Sequence, residues 1–338
     1  MHHQVIAKER LCELLEQFIQ DYEVLAPVRR GNTVVFGQIR SASDAALDLP
    51  KATMSPKGAF FPQEQVLFIF DGTEAEIPTE SGLRVLFGLR PCDGRSLTVL
   101  DKVFNTAEYP TVYYGSQRER TFVVGIGCSQ PPETCFCTAL GGDPFGKEGL
   151  DVLLSDLGDR YLVEVLSEKG ERLLENSSLL QDASEQDLEE AARHAEQARG
   201  LVGGDLPIEK LVARLGEMFE DAVWSEVSAT CLGCGACTYV CPTCHCFDIV
   251  DELDEAGGKS GRRVRIWDSC QYPLFTHHAS GHNPRPSGRE RMRQRIMHKF
   301  NYYVNNFGVI ACVGCARCVN SCPVNLDIRQ VLLTLAER

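Results

Sequence analysis

Hydrophobic residues fall at Leu11, Leu14, Leu15, Phe18 and Ile19, the spacing of a helix with one buried face. The period then changes. Thr33–Ile39, Val66–Phe70, Arg84–Leu89, Thr121–Ile126 and Tyr161–Leu166 are short runs rich in β-branched and aromatic residues, punctuated by Gly, Pro and Asp, and they predict strands. A helix is expected over Ser96–Phe104, after a loop Arg90-Pro91-Cys92-Asp93-Gly94. Residues 151–200 carry 13 acidic and 5 basic side chains and grow richer in Ala, Gln and Glu. They read as solvated helix and linker, closed by Gly200 and Gly203-Gly204. Helical spacing resumes at Leu211, Val212, Leu215, Met218, Phe219 and Ala222, and again at Met292, Ile296, Phe300, Tyr303, Val304 and Phe307. The second of these helices has six Lys and Arg over Arg285–Lys299 against Glu290, and its basic side is expected to face outward. That charge serves docking or the offsetting of buried anions, or is ordinary surface charge paired to acidic neighbours.

The expected class is α+β: an N-terminal mixed α/β domain over 1–204, with an acidic helical segment at 151–204, then a mainly α-helical domain over 205–338. A chain of 338 residues can bury a core without covalent staples, so its 16 cysteines do not suggest a disulfide scaffold. The opening Met1-His2-His3-Gln4 lacks the apolar core of an export signal, and no apolar run reaches the length of a membrane span. A cytoplasmic location with reduced, metal-binding thiols is the expectation. A formal net charge of −13 argues against nucleic acid as a partner.

The cysteines are unevenly placed: five precede residue 200 and eleven lie between Cys231 and Cys322. Cys231-x2-Cys234-x2-Cys237-x3-Cys241-Pro242 recurs as Cys312-x2-Cys315-x2-Cys318-x3-Cys322-Pro323. This is the ligand run of bacterial 4Fe–4S ferredoxins, in which the fourth cysteine of each run serves the other cluster. One cluster is therefore assigned to Cys231, Cys234, Cys237 and Cys322, the other to Cys312, Cys315, Cys318 and Cys241. Gly233, Gly235 and Gly314 let the backbone wrap the sulfurs closely. Structural zinc needs four ligands and has no use for a duplicated four-cysteine run with a trailing proline.

Cys92 and Cys128 each sit just past a predicted strand, where open α/β sheets gather their ligands. With Cys135 and Cys137 they form a candidate third 4Fe–4S site; zinc and buried free thiols are the alternatives. Asp93 is either an oxygen ligand beside Cys92 or the cap of the following helix. Cys12, Cys244, Cys246 and Cys270 have no assignment; they are expected to be buried thiols packed near the clusters, although a further metal site with His245 is conceivable. Gly125-Ile126-Gly127 lacks the third glycine of a dinucleotide fingerprint, and Gly258-Lys259-Ser260 lacks the leading glycine of a phosphate loop. Without such a motif for NAD(P) or flavin, electrons are expected from a partner.

Gly88-Leu89-Arg90-Pro91-Cys92-Asp93, the stretch Cys128 to Cys137 followed by Thr138-Ala139-Leu140-Gly141-Gly142, and the two cluster runs resemble the β subunit of cytosolic sulfhydrogenases (hydrogenase/sulfur reductase) and the related A subunit of anaerobic sulfite reductases. Trp267-Asp268-Ser269-Cys270 and Arg295-Ile296-Met297-His298-Lys299-Phe300 strengthen the likeness. It implies an electron wire between a subunit that handles flavin and NAD(P)H and a catalytic subunit that handles hydrogen, polysulfide or sulfite. No catalytic acid, base or nucleophile is assigned. The competing expectation is a sulfur-compound reductase whose own catalytic cluster sits at Cys92, Cys128, Cys135 and Cys137.

Overall fold

The computed structural model describes residues 3–48, 51–78, 81–106, 108 and 111–338. Its larger sheet has eight strands: β1 His3–Ala7, β2 Glu23–Arg30, β3 Thr33–Gln38, β6 Arg84–Leu89, β7 Thr121–Ile126, β8 Val152–Asp156, β9 Arg160–Val165 and β10 Gln181–Asp182, in the order β10-β1-β9-β8-β7-β6-β2-β3. A smaller antiparallel sheet has the order β11-β12-β4-β5, made of β4 Glu64–Asp71, β5 Glu74–Glu76, β11 Phe247–Leu253 and β12 Ser260–Trp267.

Strands β2, β6, β7 and β8 are mutually parallel, and every residue of β6 and β7 is buried. Covered on both faces, they need unbroken apolar runs rather than alternation, which is what Val85–Leu89 and Phe122–Ile126 supply. Helix Leu11–Asp21 lays Leu11, Leu14, Leu15 and Phe18 on one face of the sheet. Helix Pro91–Phe104 covers the other with Leu97, Leu100 and Phe104.

That second helix starts five residues before Ser96 and so takes Cys92 into its first turn. Proline is favoured there because its missing N–H would find no partner at that position. Asp93 accepts from the Arg90 N–H at 3.3 Å and completes the cap.

The acidic segment at 151–204 is only partly helical: β9 covers the strand expected at Tyr161–Leu166, while β8 and β10 correct the expectation of helix and linker elsewhere. It supplies β8 and β9 to the sheet, then helices Glu168–Leu174 and Glu185–Leu201. Val152, Leu153 and Leu154 are buried, and in a central strand this short, three apolar residues outweigh the acidic average of the segment. The strands β11 and β12 lie in the 70 residues between Cys241 and Cys312, and β12 pairs with β4 from the N-terminal half. Trp267, at the end of β12, stacks on Phe61 with ring centroids 5.9 Å apart. A boundary at 204/205 is thus bridged by a shared sheet and a shared aromatic core.

Candidate metal centres

The two cysteine runs fold alike. In the first, Gly233 and Gly235 take φ of +66° and +76°; in the second, Gly314 and Ala316 take +64° and +56°. Each loop leads into one turn of helix, Ala236–Tyr239 and Arg317–Asn320. The left-handed residues curl the backbone around a centre, and the Gly233 N–H points to the Cys231 sulfur at 3.4 Å. The Leu326 N–H does the same for Cys322 at 3.2 Å.

Cys231, Cys234, Cys237 and Cys322 line one cavity, with Gln271, Arg295 and Ile296, and Cys318 forms part of its wall. Cys241, Cys312, Cys315 and Cys318 lie near enough to act on one another electrostatically, with Cys241 and Cys315 buried and the other two half-buried. Burial pushes the thiols of Cys312 (to about 11), Cys315 and Cys318 upward, and Cys241 acts electrostatically on all three. The Cys241 thiol itself is drawn well down by a hydrogen bond with Cys244 and by Lys299 and Arg295. Cys92, Cys128, Cys135 and Cys137 line a third cavity, whose wall includes Gly314 and Cys315. The parallel pairing of β6 and β7 makes this meeting possible: Cys92 lies just beyond β6 and Cys128 just beyond β7, at the same sheet edge. The thiols of the first and third groups ring a space rather than converge on a point. Among the described residues no three His, Cys, Asp or Glu side chains could hold a single metal ion. A ring of thiols suits an iron–sulfur cube, which is ligated at its corners.

The three groups adjoin in series. Cys318 joins the second group to the first cavity and Cys315 joins it to the third. Phe136, fully buried between Cys135 and Cys137, enters the hydrophobic core of the C-terminal half beside Trp224, Ile296 and Leu332. Its N–H donates to the Gly314 carbonyl at 2.9 Å. Gly314 has no room for a side chain: a Cβ would stand 2.5 Å from the Phe136 oxygen and 2.6 Å from Cys137.

Positive charge meets these thiols from inside. Lys299 Nζ lies 3.5 Å from Cys241 Sγ and donates to Thr243 Oγ1 and the Ala311 carbonyl at 3.0 and 2.9 Å. Burial would strip its proton, but Cys241, Cys244 and Cys312 outweigh burial and raise its pKa. Lys51 Nζ stands 3.1 Å from Cys135 Sγ and also donates to the Cys315 carbonyl. Arg295 Nη1 is 3.9 Å from Cys244 Sγ. Arg293, Arg295 and Lys299 are all buried, which corrects the outward basic face. The helix Gly288–Met297 is packed nearly all round, and His298–Tyr302 widens into a π turn, so a 3.6-residue wheel assigns its faces wrongly. In iron-loaded protein, Lys299→Met is expected to lower the potential of the second centre by about 50–100 mV, as befits one charge near a redox centre at an effective dielectric of about 20. Electron paramagnetic resonance during redox titration reads that shift.

Motif spacing gave no sign of Lys51, of Lys57, which donates to the Thr238 and Cys244 carbonyls at 3.2 and 2.9 Å, or of the ion pair of Arg317 with Asp93, whose two side chains are each 1 % exposed. Cys244, Cys246 and Cys270 lie at the foot of the β11–β12 hairpin. Cys12 is exposed on its helix, which corrects the expectation of a buried thiol. The His245 Nδ1 faces the Thr243 carbonyl at 3.1 Å, and the ring packs against Phe104, His298 and Tyr303, so it does not join a metal group with these cysteines.

A family model described as a 4Fe–4S dicluster domain matches residues 230–326. Sulfhydrogenase 2 subunit beta of Pyrococcus furiosus is 34 % identical over 333 residues, covering 98 % of each chain. No solved structure matches the chain significantly.

Proposed function

The chain belongs to the family of sulfhydrogenase β subunits, and on that premise we propose that it is an electron-transfer subunit, a wire of three 4Fe–4S clusters with no catalysis of its own. Cys231, Cys234, Cys237 and Cys322 hold the first cluster, Cys312, Cys315, Cys318 and Cys241 the second, and Cys92, Cys128, Cys135 and Cys137 the third. Bound there, the clusters supply outer-sphere one-electron transfer. The chain's residues fix their spacing, exclude water and set their potentials through sulfur hydrogen bonds and buried cations.

The observation that supports this reading is that cysteines of the second group reach both cavities, Cys318 lining the first and Cys315 the third. The ends of the series approach solvent: Cys234 is exposed beside Leu232, while Cys92 and Cys137 border a surface pocket. Among the described residues no helix is long and apolar enough to cross a membrane. The partners are a flavin and NAD(P)-handling subunit and a hydrogenase-like or reductase catalytic subunit, in the cytoplasm. Bound clusters make the chain more negative than −13, so partners should present basic faces.

Anaerobically purified chain, photoreduced and then mixed with a one-electron acceptor, should bleach near 400 nm and recover fully over repeated cycles. Irreversible bleaching, or absorbance that no low-potential donor changes, would mean that the clusters are structural.

One feature favours a second reading, in which the third centre reduces a sulfur compound itself. The pocket beside Cys92 and Cys137 is lined by Arg95, Gly141 and Gly142, and the buried Arg95 Nη1 has no hydrogen-bond partner among the described residues. Turnover of sulfite or polysulfide by the isolated, reduced chain would support it; electron exchange without turnover supports the wire.

A further inference from the structure

Three cysteines between the two ligand runs have no cluster assignment, and two of them stand at the same end of the β11–β12 ladder. Cys246 precedes β11 and Cys270 follows β12, strands paired in register from Phe247↔Trp267 to Leu253↔Gly261. The ladder runs one step further, the Asp268 N–H donating to the Cys246 carbonyl at 3.0 Å. Beyond it the chain turns back sharply. The Tyr272 N–H donates to the Ser269 carbonyl at 3.0 Å, the Gln271 N–H to Ser269 Oγ at 3.1 Å, and Ser269 Oγ is 2.8 Å from Thr238 Oγ1. This turn brings Cys270 back to the end of the ladder at which Cys246 stands, near enough for the two thiols to act on each other.

The surroundings make the contact more than two packed thiols. Gln271 Nε2 reaches Cys270 Sγ at 3.6 Å, and Gln271 Oε1 lies 3.9 Å from Cys231 Sγ, so one side chain touches both the pair and the first chamber. Cys270 is within electrostatic reach of Cys237, a candidate ligand of that chamber. Cys270 is buried, whereas Cys246 is partly open to solvent, which gives protons a route. Cys244 differs: it interacts electrostatically with Cys241, a candidate ligand, and lies 3.9 Å from Arg295 Nη1, and so stands outside the couple.

We propose that Cys246 and Cys270 form a redox-active dithiol–disulfide couple that exchanges two electrons with the clusters of the adjoining chambers. This rests on the electron-transfer reading. In the reducing direction the Cys246–Cys270 S–S bond breaks. Two reduced 4Fe–4S clusters each give one electron, two protons come from solvent, and two thiols and two oxidised clusters result. In the oxidising direction the S–S bond forms, two oxidised clusters each take one electron, and two protons leave. The couple turns one-electron carriers into a two-electron store beside the solvent-facing end of the wire.

The test uses full-length, iron-loaded protein poised anaerobically with mediator dyes at several potentials, quenched in acid, denatured and alkylated, with the peptides identified by mass. The expected result is Cys246 linked to Cys270 at the oxidising end and both alkylated at the reducing end. In a reductive titration, Cys246→Ser and Cys270→Ser should each accept two electrons fewer per chain, with iron content and visible spectrum as in the parent. Both thiols alkylated at every potential would overturn the proposal, and so would a loss of iron in either variant, which would make these residues ligands. The parent's cluster absorbance, followed in the same titration, reports separately on the wire: failure to bleach there sinks the electron-transfer reading and not the thiol chemistry alone.

Discussion

Gly314→Ala is expected to abolish the second and third centres. The new methyl would meet backbone at 2.5–2.6 Å, the Phe136 oxygen and Cys137, at a residue whose φ is +64°. Backbone cannot swing aside as a flexible side chain can. The left-handed conformation costs an L-residue about 1–2 kcal/mol and overpacking about 1–3 kcal/mol, so the loss is about 2–5 kcal/mol. Relief comes only if the Cys315 loop and the Cys135–Cys137 segment part, and that opens both chambers at once. Gly257→Ala separates the two causes. It has φ of +76° with nothing within 4 Å of the added methyl, so only the backbone penalty of about 1–2 kcal/mol applies and iron content should not change. Denaturant unfolding with iron analysis of both variants reads the contrast. Equal effects would mean that the contact between these segments is unimportant.

Arg317→Met should be comparably damaging by a different route. Arg317 Nη1 and Nη2 bind the Asp93 carboxylate at 2.6 and 3.0 Å, and Nε donates to the Ala52 carbonyl at 2.9 Å, all buried. Arg317 lies between Cys315 and Cys318, and Asp93 follows Cys92, so the pair ties the second ferredoxin loop to the first turn of the helix that carries a third-centre cysteine. Removing one partner of such a pair leaves a buried, uncompensated charge at a cost of about 3–5 kcal/mol. The double variant Arg317→Met with Asp93→Leu should recover much of that stability, because the stranded carboxylate is gone. It should not recover full loading of the third centre if the pair positions Cys92. A double variant no more stable than the single one would show that the pair contributes little beyond packing.

The pairing also resolves the two roles considered for Asp93. It caps the helix and pairs with a guanidinium, so its oxygens are already engaged.

Most of what positions the site was legible in the chain because it is periodic or local. Burial on both faces left the uninterrupted runs of β6 and β7, and their ends placed Cys92 and Cys128. The repeated cysteine spacing showed two loops whose backbones match. Ala316 shows where a glycine rule stops: it takes the left-handed position that Gly235 takes in the first run, and no motif marks it. What stayed hidden depends on distant partners. β8 is short and sits in an acidic stretch. Lys51 reaches Cys135 and Cys315 across 84 and 264 residues. The pairing of β12 with β4 joins halves that composition separates.

The central claim is three clusters in one chain, and the direct measurement is iron and acid-labile sulfide in anaerobically purified protein, for the parent and for Cys92→Ser. Three cubes predict about 12 Fe per chain, falling toward about 8 in the variant. A parent value near 8 that Cys92→Ser leaves unchanged would contradict the third centre and the wire built on it.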